Sequence, residues 1–249
     1  MSRGAAEMLD DVGVDMWKVG SGDILDFPML DYIRDSGKPV ILSSGMSSLG
    51  ELHKAYDYLR EKTKDVSVLH CVSMYPCPLQ KLNLGTIALL KREFPEATIG
   101  FSDHSLGIEG SLMAVSLGAE VIEKHFTLDR GAFGPDHKVS LEPKEMTELV
   151  RRIRAEELME PTKEALGTGE KYVQEGEAGF RPIFRKGLFA ARDIEVGEVF
   201  ERDAIYALRP QSDAMPSEEY SAILDMPVIR TYKKYDAIRA GEVTVPYSQ

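Results

Sequence analysis

The sequence predicts an α/β fold built on a parallel sheet and followed by a smaller β-rich unit, and three observations carry this prediction. Short apolar runs alternate with helical patterns over residues 1–159. Polar residues follow each apolar run, and the alternation stops near residue 160. A repeated βα pattern is typical of parallel sheets covered by helices. The pattern alone fits either a doubly wound sheet or a closed barrel.

Five apolar runs are predicted as strands. They contain few polar interruptions, as expected for parallel strands that are covered on both faces. In chain order they are VDMWKVGS (14–21), PVILSSG (39–45), VSVLHCVS (66–73), ATIGFSDHS (97–105) and AEVIEKHFT (119–127).

The segments between these runs carry helix signals. Ser48 and Glu51 form a capping-box pattern at the start of one predicted helix. Gly37 stands where the preceding helix is expected to end. Pro143 lies just inside the start of a last helix, which is predicted to end near Met159.

The sequence changes character after this last helix. Residues 160–182 are rich in Gly, Glu, Pro and Thr without periodicity, which predicts a coil-like linker. Such a linker could span roughly 25 Å and reach a neighbouring subunit. Residues 183–249 contain short β-like runs broken by EVGE and RAGE. They predict a separate small β domain near the lower size limit for independent folding.

Composition excludes several classes of protein. The formal net charge of −11 argues against a general binder of nucleic acid or anionic membranes, although a local pocket could still take an anionic small molecule. Only Cys71 and Cys77 are present, without a CxxC motif, which argues against a disulfide framework or a zinc knuckle. No apolar run has the length of a membrane span, and no signal peptide is recognisable. We therefore expect a cytoplasmic globular protein.

Polar residues at the ends of the five runs are expected to share one site, because the carboxyl ends of parallel strands meet at one edge of the sheet. Small hydroxyls beside a lysine suit a phosphate or a carboxylate, and histidines that end adjacent strands could share a divalent metal. Each serine alone fits a cap or turn better than a site, and each histidine alone fits a core position equally well, so the prediction depends on their convergence. The strand-end residues are Lys18, Ser21, Ser43, Ser44, Ser73, Tyr75, Ser102, Asp103, His104, Lys124 and His125.

Six longer motifs occur along the chain: KVGSGDILDFPML, GKPVILSSGM, LHCVSMYPCP, IGFSDHSLG, EKHFTLDRGAFGPDHKVSLEP and FAARDIEVGEVFERDAIYALRP. In sequence and in order they resemble the N-acetylneuraminate (sialic acid) synthase family. The resemblance implies a (β/α)₈ barrel followed by a small antifreeze-protein-like (SAF) domain. Residues 1–159 would then hold the last five βα units of an N-terminally truncated barrel, and residues 183–249 the SAF domain.

The resemblance also implies an activity, namely condensation of phosphoenolpyruvate with an N-acetylated hexosamine such as N-acetylmannosamine, with release of phosphate. The family uses a divalent metal, typically Mn²⁺, with Mg²⁺ or Co²⁺ as alternatives, and the resemblance assigns the metal to His104 and His125. Phosphoenolpyruvate would contact Lys18, Ser21, Ser43, Ser73 and Ser102.

On the sugar side the resemblance implies Tyr75 and Asp136, with Asp23 as an acidic neighbour of the reacting centre. Arg209 would reach from the small domain of one protomer into the barrel of its partner in a domain-swapped homodimer. His137 is expected to be a loop residue and Cys71 a buried apolar filler.

Two other functions fit the same residues. One is synthesis of a related nonulosonic acid, legionaminic or pseudaminic acid, although GPDHKVSLEP favours N-acetylneuraminate. The other is a non-catalytic remnant that retains carbohydrate binding or dimerisation. The intact His104, His125 and Lys18 favour a synthase, whereas the missing barrel strands favour the remnant.

Overall fold

A computed structural model describes residues 1–243, and its first part is a five-stranded parallel sheet that curls into a half-barrel. The strands follow one another in the order β1-β2-β3-β4-β5, without the reversal of strand order that marks a doubly wound sheet. Each strand falls within its predicted run, so the parallel α/β prediction is confirmed. The strands are β1 (Trp17–Val19), β2 (Val40–Ser43), β3 (Val66–Cys71), β4 (Thr98–Asp103) and β5 (Val121–Lys124).

Six helices accompany the sheet: α1 (Arg3–Val12), α2 (Phe27–Ser36), α3 (Leu49–Arg60), α4 (Thr86–Glu93), α5 (Glu109–Ser116) and α6 (Pro143–Arg154). The predicted capping box of Ser48 and Glu51 begins α3, and Gly37 ends α2 in the left-handed conformation at φ 66°. The last helix ends at Arg154, earlier than the predicted Met159, since Glu156 adopts a positive φ of 56°. No helix in residues 1–243 is long and apolar enough to cross a membrane.

Alternate residues of the strands face opposite sides of the sheet. One set is buried in the main core beneath the helices and includes Trp17, Val19, Leu42 and Phe101. The opposite set lines the concave face, an open groove of about 490 Å³ whose lining includes Ile41 and Leu69, Val121 of β5 and Met146 and Ile153 of α6.

Residues 160–182 differ from the coil-like linker that the sequence predicts. Three short helices form along this stretch and just beyond it, α7 (Lys163–Leu166), α8 (Glu175–Ala178) and α9 (Arg181–Phe184). They are fixed to the loops of the half-barrel; for example, the Leu84 amide donates to the Ala165 carbonyl over 2.8 Å. Polar contacts to distant backbone, which leave no periodic sequence pattern, therefore order this segment.

The C-terminal part is a small unit around an antiparallel pair, β6 (Gly187–Ala190) and β7 (Ile205–Leu208), with a short helix α10 (Tyr220–Ile223). Bridges such as Ile194 to Tyr232 extend the pairing. The unit packs on α2 of the half-barrel, and just before this helix the Ser217 hydroxyl donates to the Leu25 carbonyl over 2.6 Å. Residues 244–249 of the predicted small domain lie outside the described residues.

Candidate functional site

A cleft of about 360 Å³ lies at the carboxyl ends of the five strands. Strand-end residues from all five βα units contribute to it, as the sequence predicts for a site at this edge of a parallel sheet. Its lining comprises Lys18, Gly20, Ser21, Ser43, Tyr75, Ser102, His104, Glu123, Lys124 and His125.

Small residues pack beneath the cleft and form its floor. The Ser21 hydroxyl accepts a hydrogen bond from the Gly45 amide over 3.0 Å and donates to the Cys71 sulfur over 3.4 Å. A Cβ atom on Gly45 would lie 2.2 Å from the Ser73 hydroxyl, so only glycine permits this close approach. Ser73 is buried under the floor and does not line the cleft.

Cys71 is buried as predicted, but its surroundings are polar and not those of an apolar filler. Its sulfur lies 3.8 Å from Nδ1 of His104 and also contacts Ser21. Burial alone would raise the pKa of this thiol, but the nearby His104 lowers it below its ordinary value.

His104 and His125 lie side by side, with ring centroids 5.3 Å apart. The ring of Tyr75 packs 4.1 Å from that of His104. His104 Nδ1 lies 2.9 Å from the Val72 carbonyl, an acceptor only, so we assign the proton to Nδ1 and the free lone pair to Nε2. Burial and the neighbouring His104 lower the pKa of His125, which favours its neutral, ligating form.

The histidine pair fits two ligands of a divalent metal. A ligating histidine usually donates its second ring N–H to a backbone carbonyl or carboxylate, as His104 does to Val72. Residues 1–243 bring no group of three or more His, Cys, Asp or Glu together as a complete metal site.

Glu123 belongs to the cleft, and the sequence reasoning missed it. Its carboxylate lies 3.3 Å from the Lys18 ammonium and accepts a 3.4 Å hydrogen bond from Ser43. The signal was present in the sequence, since Glu123 stands two residues before His125 and alternate residues of a strand share a face. The cleft thus holds a lysine whose charge is only partly compensated, because both side chains stay about a third or more exposed.

Lys124 reaches the cleft wall but its ammonium is engaged elsewhere. It lies 2.9 Å from the Asp103 carboxylate, and both side chains are almost fully buried. Asp103 also accepts hydrogen bonds from the amide and hydroxyl of Ser105 and from the Ser111 hydroxyl. This fully bonded pair joins the ends of β4 and β5 and leaves Lys18 as the accessible cation of the cleft.

Besides Ser73, three residues that the resemblance assigns to the site do not line the cleft: Asp23, Asp136 and Arg209. Asp23 lies in the turn after β1, where its carboxylate contacts Lys186 and Arg209 over 2.8 Å each. Arg209 contacts Asp23 of its own chain. Its contact with a partner's barrel stays a prediction. Asp136 is exposed in a 3₁₀ turn close to the rings of Tyr75 and His125. Burial raises the pKa of Tyr75 and lowers that of His125, and the charge of Asp136 adds to the first shift and opposes the second.

Comparison with known proteins bears on this site. The NeuB family profile matches residues 1–169. The chain belongs to the NeuB family. The N,N′-diacetyllegionaminic acid synthase of Campylobacter jejuni is 38% identical over 94% of this chain, and the human N-acetylneuraminate-9-phosphate synthase is 34% identical over 96% of it.

Solved structures agree with the fold. The spore coat polysaccharide biosynthesis protein SpsE of Bacillus subtilis has a TM-score of 0.84 and 30% identity, covering 99% of this chain and 72% of its own. The sialic acid synthetase of Leptospira borgpetersenii is 41% identical with a TM-score of 0.58, covering 70% of this chain and 59% of its own.

This NeuB-family chain is shorter than its curated relatives. It spans 69% of the Campylobacter jejuni synthase, 65% of the human synthase and 58% of the Bacillus subtilis protein. The relatives carry the names of different acids, and the pseudaminic acid synthase of Campylobacter jejuni is also 34% identical. Overall identity therefore does not separate these acids.

Proposed function

We propose that the chain carries the condensation site of a nonulosonic acid synthase, which joins phosphoenolpyruvate to the aldehyde of an N-acetylated hexosamine. The observation that carries the proposal is the convergence of Lys18, three serine hydroxyls and two adjacent histidines in one cleft at the strand ends. Membership of the NeuB family and the synthase names of its relatives support it.

The hydroxyl side of the cleft suits phosphoenolpyruvate. Lys18 supplies a positive charge, and Ser21, Ser43 and Ser102 supply neutral donors around it. A phosphate or carboxylate needs this combination, because an anion leaves water only where several donors replace its hydration. Ser73 lies beneath the cleft against Gly45, so in this proposal it supports the floor and does not contact the anion directly.

The histidine side suits the aldehyde. His104 and His125 would hold a divalent metal, with Mn²⁺ as our choice and Mg²⁺ or Co²⁺ as alternatives, since imidazole serves several such ions. A bound metal supplies Lewis-acid polarisation of the carbonyl oxygen. Tyr75 packs over both rings and would orient the open-chain sugar, with Asp136 at the rim.

The proposed reaction balances as follows. C3 of phosphoenolpyruvate bonds to the aldehyde carbon, whose oxygen takes up a proton. Water adds at C2, and the C–O bond to phosphate then breaks, which leaves a keto acid and inorganic phosphate. The chain's own residues hold the two substrates within reach and keep the anion beside Lys18, which is positioning rather than covalent catalysis.

The test combines binding with turnover. Phosphate release should require phosphoenolpyruvate, an N-acetylated hexosamine and Mn²⁺ together, and a panel with N-acetylmannosamine and diacetamido sugars should identify the acid formed. Lys18→Met should weaken phosphoenolpyruvate binding by about 10- to 100-fold, because it removes a charge-assisted contact. Lys64→Met, at an exposed lysine, is the matched control.

The outcome that would contradict the proposal is equally specific. If Lys18→Met leaves the affinity for phosphoenolpyruvate unchanged, Lys18 is not the anion-binding residue. Phosphate release that persists after chelation and after His125→Ala would remove the metal assignment.

A further inference from the structure

The loop after β2, residues 44–48, lies next to the cleft and contains an unfavourable backbone conformation. Ser43 lines the cleft, and the Gly45 amide holds the hydroxyl of Ser21. Between them and α3, Met46 adopts a positive φ of 54°, in the left-handed region that non-glycine residues rarely occupy. Such a conformation persists where surrounding contacts hold it, and it often marks a functional site.

The contacts that hold this loop come from residues 171–185, which we call the clasp. Glu177 accepts a hydrogen bond from the Met46 amide over 2.8 Å. The Met46 carbonyl accepts from Arg181 over 2.6 Å and from Arg185 over 3.0 Å. The Ser47 carbonyl accepts from Lys171 over 2.5 Å. The clasp thus satisfies both backbone polar groups of the strained residue.

Glu177 also reaches the next loop. The oxygen that accepts from Met46 accepts from the Ser73 amide over 2.8 Å, so one atom joins the loops after β2 and β3. Its second oxygen accepts from the Gln174 amide over 3.1 Å. The residue is 1% exposed, and a buried carboxylate is stable there because these backbone N–H groups replace its hydration.

We infer that Glu177 is a positioning residue for the anion side of the cleft. By fixing the Met46 and Ser73 backbones it positions Ser43, which lines the cleft, and Gly45 and Ser73, which support the cleft from beneath. The identity of that anion as phosphoenolpyruvate rests on the proposed function, whereas the clasp itself rests on the contacts above. Glu177 does not line the cleft, so it acts through the loops.

Two substitutions separate positioning from bulk stability. Glu177→Ala removes both acceptors of the bridging carboxylate. Glu177→Gln keeps the shape and one acceptor oxygen, but turns an amide donor toward the Gln174 N–H, so its effect should be intermediate. Glu175→Gln, two residues away on the exposed side of α8, is the matched control.

The experiment uses the full chain and two readouts. Amide hydrogen exchange at Met46 and Ser73 should accelerate at least tenfold in Glu177→Ala, while exchange within β3 and β4 stays unchanged. The Kd and KM for phosphoenolpyruvate should rise at least tenfold, with the hexosamine KM within twofold. Glu177→Gln should show smaller changes in the same direction, and Glu175→Gln none.

Each contrary result has a distinct meaning. Unchanged exchange at Met46 and Ser73 in both Glu177 variants would overturn the inference. So would uniform acceleration over the whole half-barrel, which indicates a general stabilising role. A wild-type chain that fails to bind phosphoenolpyruvate would refute the proposed function instead, and the two protected amides would still decide the role of Glu177.

Discussion

Glu123 and Lys124 are neighbours on β5, yet they belong to two different layers of charge. Glu123 points into the cleft, where it meets Lys18 at 3.3 Å with its side chain 40% exposed. Lys124 lies in the cleft wall, but its ammonium is paired with Asp103 at 2.9 Å and its side chain is only 2% exposed. We call these the cleft layer and the supporting layer.

The difference shows how the molecule divides structural charge from charge available to a ligand. Buried charges are tolerated only when paired and fully hydrogen-bonded, which describes Asp103 with its three additional donors. Exposed pairs contribute little to stability, so Lys18 can exchange its weak partner for an anionic ligand at small cost. A third pair, between Glu51 at the start of α3 and Arg181, is intermediate, because the Glu51 side chain is 17% exposed.

Asp103→Asn should give the largest effect, on stability. It leaves the Lys124 ammonium buried without its counter-charge, so we expect the free energy of unfolding to fall by about 3–5 kcal/mol. Urea denaturation measures this, with Asp15→Asn at an exposed position as control. Adding Lys124→Met should recover part of the lost free energy of unfolding. A loss below about 1 kcal/mol in Asp103→Asn alone would contradict the distinction between the two layers.

Glu51 should show the next effect, as a dependence on pH. Burial alone would raise its pKa, but hydrogen bonds from Arg181 and the Ser48 amide lower it to about 2. Its ordinary value is 4.5, so its stabilisation is complete above pH 4.5 and disappears as the pH falls toward 2. Glu51→Gln should therefore be about 2 kcal/mol less stable than wild type at pH 7, with the gap closing in acid.

Equal gaps at pH 7 and pH 3 between wild type and Glu51→Gln would contradict this account. Denaturant midpoints at both values supply the comparison. Because Glu51 binds Arg181 and Arg185 of the clasp, the same acidification should loosen the clasp before the sheet.

Glu123→Gln should give the smallest effect, and in the opposite direction. Removing the carboxylate beside Lys18 removes a competitor for its charge, so inorganic phosphate or phosphoenolpyruvate should bind about threefold tighter. Calorimetry measures the affinity, and thermal melting should stay within a degree or two. Weaker anion binding would indicate that Glu123 organises Lys18 rather than competing for it.

The sheet could be predicted from sequence because its information is local. Each of the five runs is apolar over consecutive residues, and polar residues such as Ser43 and His104 stand where a strand must end. Parallel topology then brings those ends together. The same reasoning could have predicted Glu123, because it stands two residues before His125 and alternate residues of a strand share a face.

The clasp could not be predicted in this way. Glu177 sits among Gly and Glu residues with no periodicity, and its burial depends on amides of Met46 and Ser73 more than a hundred residues away in sequence. The position of Arg209 against Asp23 is likewise a tertiary contact. Periodic sequence patterns indicate local secondary structure, whereas these residues are ordered by tertiary hydrogen bonds and ion pairs.

The clasp also defines where this chain can be recombined. The composition of residues 171–185 separates them from the half-barrel, but their side chains donate hydrogen bonds to its loop after β2. A chimera that joins this half-barrel to a relative's tail near residue 160 would exchange the clasp along with the small unit. A crossover placed after Arg185 would transfer the small unit and leave the native hydrogen bonds to the Met46 backbone intact.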